Sequence, residues 1–216
     1  MLITIVGSGP GISRGVARKF GKNGFSVALI ARNELKLQEE IKLLESEGIQ
    51  AIYAIADVSD AASLSKAFDA IEERAGLADV TLFNASGISI KDVLDQDWSV
   101  FQQVFEISVG GAFHVAKLVL PKYLSQNRGK FFLTGGGSAL MGDPQWTTLG
   151  VAKAGMRNLA QALAKRVEGT SVHVSSVVVC GYVNDADPKY NPDAIADQYW
   201  ALFTQKPGEI NTEVIY

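Results

Sequence analysis

The chain of 216 residues has little sulfur and little imidazole: one cysteine, Cys180, and two histidines, His114 and His173. A single cysteine excludes an intrachain disulfide framework and is typical of a protein kept in a reducing compartment. Two histidines leave little material for a histidine-based metal site or a catalytic triad. The sequence therefore predicts no metal centre and no disulfide-stapled fold.

Long apolar runs and basic clusters are also missing. No stretch reaches the roughly 18 apolar residues of a membrane-spanning helix, and the N-terminal run MLITIVGSG is too short for a signal peptide. The 20 Lys and Arg residues against 23 Asp and Glu give a formal net charge of -3, which argues against a nucleic-acid groove. We therefore expect a cytoplasmic protein with neither a membrane nor a nucleic-acid partner.

Short β-branched apolar runs alternate with longer segments of helical period. The predicted strands are Leu2–Val6, Ser26–Ala31, Gln50–Ala56, Asp79–Phe83, Lys130–Thr134, Val172–Cys180 and Thr212–Tyr216. The predicted helices between the first six are 11–23, 33–47, 59–75, 96–126 and 144–168, with Asn33, Ser59 and Asp95 as candidate N-caps. This alternation predicts an α/β fold, a Rossmann-like doubly wound parallel sheet of about seven strands with helices on both faces. Residues 1–216 form one domain, since α/β folds of roughly 200–250 residues stay single.

A glycine-rich loop, GSGPGISRG, follows the first strand and opens the first helix. Gly7, Gly9 and Gly11 allow a tight turn and a close approach of the backbone to a pyrophosphate, and Ile12 begins the helix whose N-terminus faces that charge. A tight strand-to-helix turn needs glycine even without a ligand. The position of the loop in the first βαβ unit favours dinucleotide binding.

The second predicted strand ends at Arg32, where many dinucleotide-binding folds carry an acidic residue for the ribose hydroxyls of NAD. An arginine accommodates a 2′-phosphate instead, so NADP(H) is expected in preference to NAD(H), although a surface arginine at a helix start is the alternative. Arg14 adds a second candidate positive charge near the phosphates. Asp57 and Val58 after the third strand suit an adenine contact, and Asp57 equally suits capping of the next helix.

These blocks, together with Asn84-Ala85-Ser86-Gly87 after the fourth strand, resemble the short-chain dehydrogenase/reductase family along nearly the whole chain. The family's G-x-x-x-G-I-G appears as Gly7, Gly11, Ile12 and Ser13. The resemblance implies a nicotinamide cofactor, NADP(H) because of Arg32, held by the cofactor-binding set Gly7, Gly9, Gly11, Ile12, Arg32, Asp57, Val58, Asn84 and Lys153. It also implies a homodimer or homotetramer through helices 96–126 and 144–168, and a substrate lid that is shortened around 182–192.

The family's catalytic Asn, Ser, Tyr and Lys correspond by the same resemblance to Ser108, Gly136, Leu149 and Lys153. Only Lys153 matches, and a leucine cannot exchange the proton that the family's tyrosine exchanges with the substrate oxygen. Ser138 and Tyr182 are the candidate substitutes, so the predicted catalytic set is Lys153, Ser138 and Tyr182. Trp146 lies near the same position, but an indole N–H only donates a hydrogen bond.

Three hypotheses follow for the function. The first is an oxidoreductase that acts on a small carbonyl or alcohol with NADP(H) and a degenerate active site. The second is a catalytically silent NADP(H)-binding sensor or scaffold. In the third, cofactor binding is lost as well, because Ser13 places a side chain where the family's loop has glycine.

Overall fold

The predicted alternation of strands and helices is present in the computed structural model, which describes residues 1–206 and 209–216. The strands are β1 (Leu2–Val6), β2 (Ser26–Ala31), β3 (Ala51–Ile55), β4 (Val80–Phe83), β5 (Gly129–Gly136), β6 (Val172–Val179) and β7 (Glu213–Ile215). The helices are α1 (Ile12–Lys22), α2 (Glu34–Ser46), α3 (Ala61–Ala75), α4 (Trp98–Phe105), α5 (Gly111–Gln126), α6 (Thr147–Arg166) and α7 (Pro192–Thr204).

All seven strands form one parallel sheet in the order β3-β2-β1-β4-β5-β6-β7. The chain adds β2 and β3 on one side of β1 and then places β4 on the other side. The order in which strands are added to the sheet therefore reverses between β1 and β4. In open parallel sheets, ligands bind outside the carboxyl ends of the strands at such a reversal. The predicted doubly wound fold is confirmed, and its topology places a crevice beyond Val6 and Phe83.

The sheet is covered by a hydrophobic core on each face. One core joins α3, α5 and α6 to the sheet and includes Phe83, Val115 and Phe131, while the other joins α1, α2 and α7 and includes Phe20 and Tyr199. Strands buried on both faces need largely continuous apolar sequence rather than alternation, as the runs of β1 and β2 show.

The predicted helix 96–126 consists of α4 and α5, joined by a π-helical turn over Glu106–Gly110. Within the described residues, Trp98–Gln126 is the one helix long and apolar enough to cross a membrane by length and composition. That is weak support for a membrane span, since a buried core helix passes the same test. Phe105 and Phe113 are exposed on this helix, and the predicted homodimer or homotetramer stays a prediction.

Two of the three predicted N-caps are wrong. Asn33 caps α2 as predicted, with its side chain accepting from the first turn. Ser59 does not cap α3, because the carboxylate of Asp60, one residue later, accepts two backbone N–H groups of that helix. Asp95 lies before the start of α4, whose N-cap is Asp97.

Helix α1 packs unusually closely against the start of α7. A Cβ on Gly15 would overlap the carbonyl oxygen of Pro192. Gly15, although it ends the glycine-rich motif, therefore serves the packing of two helices. Gly9 in the same motif has open space around its Cβ position, with no described atom within 4 Å.

We expect Gly15→Ala to lower the free energy of unfolding by about 1–3 kcal/mol, the usual cost of forcing an extra methyl group into a filled space. Gly9→Ala is the matched control and should change stability by less than about 0.5 kcal/mol. Urea unfolding followed by circular dichroism measures both, and equal stabilities of the two variants would contradict the close α1–α7 contact.

Candidate functional site

The chain after β1 turns sharply at Gly7, whose φ is +87°. The amides of Gly7 and Ser8 both donate to the carbonyl oxygen of Ile30 in β2, at 2.9 and 3.1 Å. A Cβ on Gly7 would overlap the backbone of Ala85 in the segment after β4. Glycine is required here by both its backbone angle and the lack of space, so the loop is fixed at the reversal of the strand order.

Gly9 and Gly11 line the open side of this loop, whereas the side chain of Ile12 packs against the core. Around Gly11 the nearest described atom to a built Cβ is Val183 Cγ1 at 3.9 Å. Gly11 is also the N-cap of α1 and offers no side chain to the first turn. The unpaired N–H groups of a helix N-terminus bind anions, and a cradle without side chains admits a pyrophosphate. The residues present thus fit a dinucleotide.

Ser13 stands where the family's loop has its third glycine. Its side chain is buried, and Oγ donates to the carbonyl oxygen of Gly7 at 2.9 Å while accepting from Asn84 Nδ2 at 2.8 Å. The hydroxyl is therefore directed into the protein and joins the glycine loop to the end of β4. Sequence reasoning missed this link, because it treated Ser13 only as an obstacle to the cofactor.

Arg32 lies just beyond β2 with a side chain that is 67% exposed, and its Nη1 is 3.8 Å from Asp57 Oδ2. Asp57 Oδ1 accepts from the amide and hydroxyl of Ser59, at 2.9 and 2.7 Å. These hydrogen bonds, opposed by partial burial and helped by Arg32, lower the pKa of Asp57. Asp57 does not cap α3, since Asp60 does, whereas Val58 is buried beside it.

The guanidinium of Arg14 is directed towards α2 rather than towards the glycine loop. Its Nε and Nη2 donate to both carboxylate oxygens of Glu40, at 2.9 and 2.6 Å. The hydrogen bond to Glu40 raises the pKa of Arg14, and the largely buried carboxylate neutralises its charge. The predicted second positive charge near the phosphates is thus engaged in an ion pair between α1 and α2.

Lys153 on α6 is buried beneath the end of β5. Its Nζ donates to the carbonyl oxygen of Thr134 at 2.8 Å, and only 6% of the residue is exposed. Burial lowers the pKa of this amine to about 8. A Cβ on Gly136 would lie 3.6 Å from the Cγ of Lys153, so the lysine stem passes directly beside the last residue of β5.

In the part of the chain that is described, none of the other predicted positions forms a hydrogen bond with Lys153. Leu149 lies one helical turn before Lys153 on α6, and Ser138 is half-buried in a short turn after β5. Ser108 is buried in the π-helical turn, where its Oγ accepts from the amide of Gly87 at 3.1 Å. Its hydroxyl therefore holds the segment after β4.

Tyr182 and Trp146 come together at the mouth of the site. Their ring centroids are 6.2 Å apart with 59° between the planes, and Tyr182 is 78% exposed. The same segment reaches the glycine loop, since Val183 is the neighbour of Gly11. The segment 182–192 therefore spans from the cofactor cradle to the start of α6, and its shortening relative to a usual lid stays a prediction.

Elsewhere, a cleft of about 590 Å³ opens at the amino ends of the strands, lined by Arg74 and Asp79 among others. Asp79 Oδ2 accepts from the amide of Leu2, and Arg74 donates to a backbone carbonyl, so both groups serve the fold. Within residues 1–206 and 209–216, no group of three His, Cys, Asp or Glu side chains could hold a metal ion. The chemistry-bearing residues lie at the opposite, carboxyl edge.

The fold is a doubly wound α/β fold, and the glycine cradle at its strand-order reversal fits a dinucleotide. A family model described as short chain dehydrogenase matches residues 1–192 of the 216. The chain belongs to the short-chain dehydrogenase/reductase family of oxidoreductases, as the sequence motifs predicted.

Among curated relatives, the chain is 28% identical over 166 residues to L-2,3-butanediol dehydrogenase of Corynebacterium glutamicum, covering 76% of this chain and 64% of that protein. It is 27% identical over 184 residues to the oxidoreductase UcpA of Escherichia coli strain K12, covering 83% and 68%. The matches span 55%, 64% and 62% of the first three curated relatives.

Solved structures match over almost their entire length. A short-chain dehydrogenase from Rhodopseudomonas palustris has a TM-score of 0.88 at 25% identity, covering 100% of this chain and 97% of that one. Actinorhodin polyketide ketoreductase with NADPH has a TM-score of 0.91 at 22% identity, covering 99% and 94%. The second likeness shows the fold alone.

The pH dependence of stability should report the burial of Lys153. Its folded-state pKa is lowered, so between about pH 8 and the ordinary value of 10.5 the unfolded chain binds more protons than the folded one. Stability relative to Lys153→Met should therefore rise with pH across that window, by about 2–3 kcal/mol from pH 7 to pH 10. Urea unfolding of both proteins at the two pH values measures it, and a difference independent of pH would contradict the buried amine.

Proposed function

We propose that the protein is an NADP(H)-dependent oxidoreductase that acts on a small carbonyl or alcohol substrate. The observation that carries the proposal is the buried amine of Lys153, held at the carboxyl edge of the sheet beside an open glycine cradle. Burying a lysine amine costs free energy, and ionisable groups whose pKa is perturbed by burial cluster at functional sites.

The proposed cofactor position follows from the topology. Gly9, Gly11 and Ile12 would face the pyrophosphate, and Arg32 the 2′-phosphate, because its exposed guanidinium is only loosely paired with Asp57. Val58, Asn84 and Lys153 complete the proposed set, with Asn84 fixed by Ser13. When bound, the nicotinamide supplies or accepts the hydride.

The proton must come from this chain's own residues or from water that they position. Lys153, with a pKa of about 8, has both protonation states within reach near neutral pH. Two further groups can exchange a proton. These are the exposed phenol of Tyr182 and the hydroxyl of Ser138 in the turn after β5. Leu149 can supply no proton, so we assign proton transfer to Lys153 together with Tyr182 or Ser138.

The preference for NADP(H) should depend on Arg32. We expect NADPH to bind more tightly than NADH, and Arg32→Ala to weaken NADPH binding by about tenfold or more, since a charge-assisted hydrogen bond contributes roughly 1.5–3 kcal/mol. NADH binding should change by less than about threefold. Fluorescence titration of the nicotinamide measures both.

The matched control for Arg32 is Lys42→Ala, which removes the same charge from the exposed side of α2 and should leave NADPH binding unchanged. Equal losses for NADPH and NADH in Arg32→Ala would contradict the 2′-phosphate contact. No binding of either nucleotide at millimolar concentration would refute the cofactor proposal itself.

A catalytically silent NADP(H)-binding sensor or scaffold is the second candidate. It is favoured by Ser108, whose hydroxyl is occupied by the Gly87 amide, and by Gly136 and Leu149, which carry no proton to exchange. In such a protein the cofactor cradle would be kept for binding alone.

Turnover separates the two candidates. With a panel of small carbonyl compounds and NADPH, we expect measurable oxidation of NADPH that falls by about 10²–10⁴-fold when the proton donor is removed. Lys153→Met, Tyr182→Phe and Ser138→Ala identify that donor. NADPH binding without turnover on any compound would favour the silent protein, and turnover unaffected by Lys153→Met would refute a mechanism based on Lys153.

A further inference from the structure

The three segments that follow β4, β5 and β6 expose an unusual amount of apolar surface at one end of the sheet. These segments are 84–97, 137–146 and 180–191. Among residues 1–206 and 209–216, half of the sixteen exposed large hydrophobic residues lie on them, namely Ile88, Ile90, Val93, Leu94, Leu140, Met141, Tyr182 and Val183. Apolar patches that a fold leaves exposed mark sites of binding.

The three segments are tied to one another rather than spread apart. Thr148 at the start of α6 donates from Oγ1 to the carbonyl oxygen of Ser89 at 2.9 Å, and the Lys91 amide donates to the Gln145 carbonyl at 3.1 Å. Trp146 then meets Tyr182 across the second and third segments. Their apolar residues therefore surround one region beyond the ends of β4 to β6.

Two observations place this region beside the reaction centre. Trp146 is the N-cap of α6, seven residues before Lys153, and Leu149 lies between them. Val183, the neighbour of Tyr182, contacts the glycine cradle at Gly11. A compound that packs against the Trp146 and Tyr182 rings would therefore lie between the cradle and the Lys153 side of the site.

The Trp146 and Tyr182 rings are arranged so that they can form one side of a ligand-binding site. The two rings contact each other at a tilt of 59°, and Tyr182 is 78% exposed, so a third group can pack against the exposed side of the pair. Aromatic side chains bind flat apolar groups by stacked and edge-to-face contacts, worth about 0.5–1.5 kcal/mol beyond area burial.

Charge in these segments disfavours anions. They contain six aspartates, at 92, 95, 97, 143, 185 and 187, against two lysines, at 91 and 189. Lys91 is paired with Asp97 at 3.1 Å, and Lys189 Nζ lies over the rings of Tyr190 and Tyr216. An anionic substrate group would thus meet excess negative charge, with both segment lysines already engaged.

We infer that the substrate is an uncharged carbonyl compound or alcohol with a flat aromatic group, which contacts Trp146 and Tyr182, and that carboxylate-bearing analogues are excluded. This inference rests on the proposed oxidoreductase function for the position of the reacting carbon. The aromatic site itself depends only on the three segments.

The test compares two matched probes, 2-acetylnaphthalene and its 6-carboxylate analogue, by isothermal titration calorimetry on the protein saturated with NADPH. The neutral ketone should bind at least roughly tenfold more tightly than the carboxylate. Trp146→Ala and Tyr182→Ala should each weaken ketone binding by roughly tenfold, and Tyr182→Phe by less than threefold because it keeps the ring. Phe113→Ala, an exposed aromatic residue on α5, is the control and should bind as the parent does.

Equal binding of both probes, or losses in Trp146→Ala no larger than in Phe113→Ala, would overturn the inference. So would failure of the ketone to bind to protein that binds NADPH, which leaves the proposed function standing. If NADPH does not bind but the free protein binds the ketone with the same dependence on Trp146 and Tyr182, the aromatic site is supported and the proposed function fails. Tyr182→Phe separates loss of the ring from loss of the phenol, since only turnover depends on the latter.

Discussion

The site depends on how closely the chain after β1 approaches the chain after β4. Gly7 leaves no room for a side chain against Ala85, and the hydroxyl of Ser13 bonds to both the Gly7 carbonyl and the Asn84 amide. A single serine thus replaces glycine without filling the cradle, because its polar atom is satisfied inside the protein. Because the Ser13 side chain is directed into the protein, the surface at Gly9 and Gly11 stays open.

A second set of contacts connects the two faces of the sheet at β5. The Thr134 carbonyl accepts from Lys153 on α6, while its hydroxyl pairs with the buried phenol of Tyr199 on α7 at 2.7 Å. β5 pairs with β4 only as far as Leu133, whereas Thr134 still pairs with Val177 of β6. Helices on opposite faces therefore hold the strand end to which the buried amine of Lys153 donates.

The fold was predictable from the sequence because parallel strands buried on both faces need continuous apolar runs, and those runs are visible without a structure. The glycine cradle was also predictable, because Gly7 satisfies a requirement of the local backbone that can be recognised from sequence. Side-chain direction was not predictable. Arg14 binds Glu40, a partner distant in sequence. Asp60 rather than Ser59 caps α3, which depends on a difference of one residue in position. The meeting of Trp146 with Tyr182 likewise depends on two loops whose paths only the folded chain defines.

The contact between Gly15 and Pro192 belongs to a larger interface between α1 and α7. α7 covers an aromatic cluster in which Phe20 and Phe25 pack edge-on against Trp200 and Phe203. Without α7, the side of α1 that packs against these rings would be exposed to solvent. A chain truncated before α7 would therefore present a cluster of apolar aromatic surface, which favours aggregation.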